Sequence, residues 1–190
     1  MLVSIFSTTI ISNIDVHVLA YFYPSEVVAQ LGAVSRLTLP ITILVTSLST
    51  TMLPRLSRNS QDPQFISYYL RKLKLVLPLS VAGFLIGGAA LIPVLGWLAG
   101  ARYGGLEPLI GLQLVSILII LITNPLGLLV MAEGRTKTLA CMNLAQLLVG
   151  LGLHFLLVPQ LGVNGSICAT IGVNTIGLLA TLMMVRRRAI

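Results

Sequence analysis

Apolar residues run along this chain in blocks of roughly twenty, separated by short polar or basic turns, the length one helix needs to cross a bilayer. The blocks are Met1–Tyr23, Val27–Leu53, Leu75–Ala99, Pro108–Ala132, Leu139–Pro159 and Leu161–Val185. The pattern predicts six transmembrane helices, an all-α polytopic membrane bundle forming a single domain over residues 1–190. A cytoplasmic loop is expected over 55–74. Segments of about ten alternating residues, the mark of a membrane β-barrel, are absent. The first block is too long and too polar for a signal peptide and lacks a basic start.

Composition agrees with this pattern. Of the 190 residues, 56% are hydrophobic and 9% charged, against about 25% charged in soluble domains. A soluble enzyme, a disordered chain and a disulfide scaffold are all excluded. Cys141 and Cys168 both lie in apolar stretches.

The net charge of +7 first suggests nucleic acid, but its distribution points elsewhere. Arg55, Arg58, Arg71, Lys72, Lys74, Arg135, Lys137, Arg186, Arg187 and Arg188 fall on one side of the predicted membrane, and only Arg102 on the other. By the positive-inside rule both termini are cytoplasmic. The charge sets orientation and favours anionic lipid; the motifs of nucleic-acid binding are missing, and no nucleic-acid partner is expected. Phe65, Tyr68 and Tyr69, followed by Arg71, Lys72 and Lys74, fit either an interfacial helix or the cytoplasmic end of span three.

Charge inside the spans is confined to Asp15 and Arg36. Ser4, Thr8, Ser12 and Asp15 share one face of span one, and Ser35, Thr38, Thr42, Thr46 and Ser49 one face of span two. Span five carries Asn143, Gln146, Gly150 and His154, and span six carries Asn164, Ser166, Thr170, Asn174 and Thr181. Asp15 and Arg36 each lie roughly 12–15 Å from the outer surface. They fit either a structural salt bridge or a shared substrate site. Arg36 is turned away from the Thr38–Thr42 face by roughly 100° or more on a helical wheel. His17 points to a different face from Asp15, and His154 has no carboxylate at a ligand spacing, so no metal site is expected. No catalytic triad order, CxxC, HExxH or phosphate-binding glycine loop occurs. Neither an enzyme nor a cofactor is expected.

Several short stretches carry a resemblance. Asn13-Ile14-Asp15 is followed by Pro24-Ser25-Glu26-Val27-Val28, Ala33-Val34-Ser35-Arg36-Leu37 and Met52-Leu53-Pro54-Arg55-Leu56-Ser57. Later come Gly100-Ala101-Arg102-Tyr103, Ala132-Glu133-Gly134-Arg135-Thr136-Lys137, and the run from Val158-Pro159 through Gly162-Val163-Asn164-Gly165 to Ala169-Thr170. In this order they resemble the C-terminal half of polysaccharide or oligosaccharide flippases. That superfamily also holds multidrug-and-toxin extrusion transporters and lipid II flippases.

The resemblance implies one lobe of a two-lobe transporter. Its cargo would be lipid-linked oligosaccharide, moved across the bacterial plasma membrane for cell-surface polysaccharide biosynthesis. Membrane lipid and a matching N-terminal lobe would be its partners. Asp15, Arg36, Ser12, Thr8, Thr38 and Thr42 would be the substrate or cavity residues. The alternatives are a lipid II or multidrug exporter of the same superfamily, or a truncated non-transporting membrane subunit.

The basic bias makes a direct prediction. Reporter fusions after Arg58, Arg135 and Arg188 should read cytoplasmic, and fusions at 24–26, near Arg102 and near Gln160 should read external. An inverted pattern, or an odd number of crossings, would overturn the six-span topology.

Overall fold

In the computed structural model the described residues are 10, 13–59, 62–99, 105–132, 134 and 136–186. Among them every regular element is an α-helix. These are α1 (Ile14–Phe22), α2 (Ser25–Arg58), α3 (Pro63–Ala99), α4 (Glu107–Ala132) and α5 (Thr136–Arg186). Four of them, α2 to α5, are long and apolar enough to cross a membrane. The six expected spans therefore do not stand as six separate helices. Most of the first expected span lies outside the described residues, and the last two expected spans both fall within α5.

Local chemistry explains where the helices begin and end. In α2, Glu26 lies in the first turn and Arg55 and Arg58 in the last, each sign opposed to the helix-end charge it meets. α3 starts at Asp62-Pro63. The Asp62 carboxylate accepts the Gln64 N–H at 2.9 Å and its carbonyl accepts the Ile66 N–H at 3.1 Å. Proline at the first helical position lacks only an N–H that would be orphaned there. This start carries α3 from Pro63 through 74 into the apolar stretch without a break, and α2 runs on to Arg58. The expected loop over 55–74 is thus largely helical, and Phe65–Lys74 is continuous with the third expected span. α4 ends before Gly134, whose φ of 71° suits glycine alone without strain and whose N–H donates to the Met131 carbonyl at 3.1 Å.

α5 is a hairpin rather than a 51-residue rod. Gly162 has φ 58° and ψ −129° inside it, a conformation open to glycine and costly to side chains. Beyond Gly162 the second arm returns along the first. Gly150 lies against Val173 and Gly172 against Leu153, each within 3.2 Å of where a methyl group would sit, and Gly177 lies against Gln146. These pairs are spaced evenly about residue 162, as antiparallel arms require. Small residues permit that close approach. Pro159 lies in the last turn of the first arm, and Tyr23 of α1 covers the turn, donating its hydroxyl to the Pro159 carbonyl at 3.1 Å.

α4 occupies the centre. α5, α2 and α3 all pack against it, while α1 packs on α5 and to a lesser extent on α2. Its Ile110, Leu114 and Ile117 join Leu31 and Val34 of α2, Leu19 of α1, and Val158 and Ile167 of α5 in the main core. A second, smaller cluster sits at the basic end, where Leu56 of α2 meets Leu128 and Leu129 of α4. Across the centre, Asn174 Nδ2 of α5 donates to Ser116 Oγ of α4 at 2.9 Å.

The hairpin apex supplies a stability test. A methyl group at Gly165 would overlap the Leu157 carbonyl, whereas at Gly152 it would meet nothing within 4 Å. Gly165→Ala should destabilise the purified protein by roughly 1–3 kcal/mol through overpacking. Gly152→Ala should be neutral or stabilising by up to about 1 kcal/mol. Equal unfolding temperatures for the two variants would contradict the close approach of the arms.

Candidate functional site

The six residues singled out from sequence separate into distinct surroundings. Thr8 and Ser12 lie outside the described residues. Thr38 is 1% exposed, so it faces packed helices rather than an open cavity. Its hydroxyl donates to the Val34 carbonyl at 2.9 Å. Thr42 is half-buried and donates to the Thr38 carbonyl at 3.2 Å, and Thr46 repeats the pattern onto Thr42 at 2.9 Å. The hydroxyl stripe of α2 therefore bonds to its own helix, the usual use of Ser and Thr in apolar helices.

Arg36 occupies the opposite side of α2 and is exposed. Its face carries the small residues Ala29, Gly32 and Ala33 before it, and Pro40 with the larger, exposed Leu39 and Ile43 after it. It lies eleven residues into α2, roughly 16 Å along the axis. That depth is near the middle of a hydrocarbon core about 30 Å thick. Arg36 and Asp15 form no hydrogen bond or ion pair, so the structure does not join the two membrane charges.

Asp15 instead turns toward α5. It is half-buried in the first turn of α1, one turn before the fully buried Leu19. Its Oδ1 accepts the Val16 N–H at 2.8 Å. The titratable side chains that act on it electrostatically are His154 and His17. His17 is exposed, whereas His154 is 1% exposed.

His154 Nδ1 lies 2.8 Å from the Gly150 carbonyl. A carbonyl only accepts, so Nδ1 carries the proton, and in the neutral ring Nε2 is a bare lone pair. That Nε2, and the Ser166 Oγ on the returning arm, are buried with no hydrogen-bond partner among the described residues. A buried polar atom without a partner is costly. Of the two, His154 is the one that acts on the Asp15 carboxyl.

This meeting follows from the direction of the helices. α1 and the first arm of α5 run parallel, with Phe22 edge-on to Phe155 at 6.0 Å and Tyr23 bonded to Pro159. Measured back from those shared ends, Asp15 and His154 lie between about one and two turns apart along the helix axes. Sequence reasoning passed over His154 because it treated each span alone. The signal was present in two like-oriented spans carrying an acid and an imidazole at similar depth.

The remaining polar stripes glue helices. Gln146 and Gly150 face the second arm, Asn174 bonds Ser116, and the buried Thr181 donates to the Gly177 carbonyl at 2.8 Å. Among the described residues no three His, Cys, Asp or Glu side chains come together as a metal site would need. Comparison with known protein families, curated proteins and solved structures returns no match.

The pairing can be tested by double-mutant cycles on unfolding of the purified protein. Asp15→Asn with His154→Gln should be non-additive by roughly 0.5 kcal/mol or more, and Asp15→Asn with Arg36→Gln additive within about 0.5 kcal/mol. The reverse result would reinstate an Asp15–Arg36 bridge.

Proposed function

We propose that this chain is one lobe of a flippase for lipid-linked oligosaccharide in a bacterial plasma membrane, serving cell-surface polysaccharide biosynthesis. The lobe has six spans, counting the two arms of α5 and the segment that includes α1, and both termini are cytoplasmic. It works with a matching N-terminal lobe. Its task is movement of a polar head group through the membrane rather than bond chemistry.

The observation that carries this reading is Arg36. It is exposed near mid-membrane depth on a helix whose other side is buried in the core. An arginine there facing lipid costs about 2.5–3.5 kcal/mol on insertion scales. A water-filled cavity removes that cost, and a cavity needs a facing wall, which a second lobe would supply. Ala29, Gly32 and Ala33 leave room for cargo on one side of Arg36, and the exposed Leu39 and Ile43 offer an apolar wall on the other. Its planar guanidinium suits the paired oxygens of a pyrophosphate better than lysine would. The ordered motifs that resemble the C-terminal half of oligosaccharide flippases point to the same cargo.

Asp15 then has a different task from Arg36. It belongs to the side of α1 that meets the hairpin. Thr38 and Thr42 stiffen α2 behind the cavity face.

The test combines solvent access with transport. In a Cys141→Ser/Cys168→Ser background, Arg36→Cys should react with a membrane-impermeant thiol reagent when the two lobes are co-expressed. Leu85→Cys, on the exposed apolar side of α3, should not. In a flippase-deficient strain the lone lobe should leave export unrestored, and the paired lobes should restore it. Arg36→Gln should lower that export at least about tenfold at unchanged abundance, the loss of one charge-assisted contact. An unreactive Arg36→Cys together with undiminished export would remove the cavity role.

A further inference from the structure

At the basic end of the bundle a cavity of about 550 Å³ opens between α2 and α3. Its volume is that of a small-molecule site. The two helices diverge around it and lean separately on α4. Val45 and Leu56 line one side, Leu73 and Leu77 the other, and Leu121 and Leu128 form the floor. The cavity's two charged groups, Arg55 and Lys72, lie toward the basic end, and Ser80 is the polar side chain toward the other. The Lys72 Nζ is held 4.9 Å above the Tyr68 ring, within cation–π range. Tyr69 fixes the floor to the wall, donating its hydroxyl to the Pro125 carbonyl at 3.1 Å. Beside the mouth, and sharing Tyr68, lies a smaller polar hollow lined by Gln64, Ser67 and Arg71.

The occupant this slot calls for is an amphiphile. It must be apolar along its length and anionic at one end. From Val45 to Arg55 the slot runs ten residues of α2, roughly 15 Å, which is half of a hydrocarbon core about 30 Å thick. That is the depth of one leaflet, and so the reach of one acyl chain. A polyprenyl chain longer than a leaflet would not be contained. The cations lie on the side that the basic bias makes cytoplasmic, where anionic lipid headgroups are concentrated.

We propose that this slot binds one anionic phospholipid of the cytoplasmic leaflet. One acyl chain lies between α2 and α3, the phosphate sits between Arg55 and Lys72, and the rest of the headgroup lies in the Gln64–Ser67–Arg71 hollow. The site is separate from Arg36 and from the Asp15–His154 region, and it stands whether or not the chain transports oligosaccharide. Its lipid takes the place of protein packing between α2 and α3, and so acts as a structural wedge under α4.

The test uses the full chain purified in detergent and equilibrated with micelles holding equal amounts of phosphatidylglycerol and phosphatidylcholine. Bound lipid is counted by native mass spectrometry. One phosphatidylglycerol should be retained in roughly thirtyfold preference, the scale set by two surface cations. Arg55→Gln/Lys72→Gln should reduce the preference to below about twofold, with helical content unchanged because both side chains are exposed. Arg58→Gln/Lys74→Gln, which removes two neighbouring cations outside the slot, should keep it. Leu77→Trp should lower retention of both lipids by filling the slot.

Three outcomes would overturn the proposal. These are no preference in the parent protein, an equal loss in the Arg58/Lys74 control, or a tighter hold on added polyprenyl phosphate than on phosphatidylglycerol. Should Leu77→Trp fail to fold, the two charge variants decide the matter alone.

Discussion

Surface fit around α4 is what the rest of the bundle depends on. Helices in hydrocarbon gain little from hiding apolar side chains from one another, because lipid tails are equally apolar. They stay together through close packing and a few interhelical hydrogen bonds. α4 supplies both: a row of buried leucine and isoleucine side chains for α2, α3 and α5, and the Ser116 hydroxyl for Asn174. α1 packs chiefly on α5 and then on α2. Weakening α4 would separate elements that otherwise have little hold on one another, α2 and α3 above all.

The two membrane charges illustrate two ways of carrying polarity in an apolar medium. Asp15 is drawn inward, with a backbone N–H on its oxygen and an imidazole nearby. Arg36 is left outward on an exposed face of α2. An inward group can be served by its own fold, while an outward one depends on what lies beyond it. The proposed cavity and the second lobe follow from that difference. The hydroxyls of Thr38, Thr42 and Thr46 need neither, since each already bonds its own helix.

Much of the helical plan could be read from hydropathy because bilayer thickness imposes a length that apolar runs must match. The turn near Pro159–Gly162 was legible for the same reason, together with a glycine that can take φ 58°. The extent of α3 was harder to see. Charged residues at 71–74 looked like loop, but a capped helix start at Asp62-Pro63 carries them in helix. At the site, periodicity placed Thr38 and Thr42 on one face and Arg36 on another, and the structure agrees. Which face looks inward depends on neighbouring helices, and one span's periodicity is silent on that. The closeness of His154 to Asp15 was hidden likewise, since it arises from the pairing of two helices far apart in the chain.

The sparse contact between α2 and α3 also bears on how the molecule is made. These helices leave the ribosome before α4, so they enter the bilayer before the surface on which both will rest. With the lipid proposed for the slot, α4 on arrival would close the floor of a space already filled, and the bundle would be assembled around membrane rather than cleared of it.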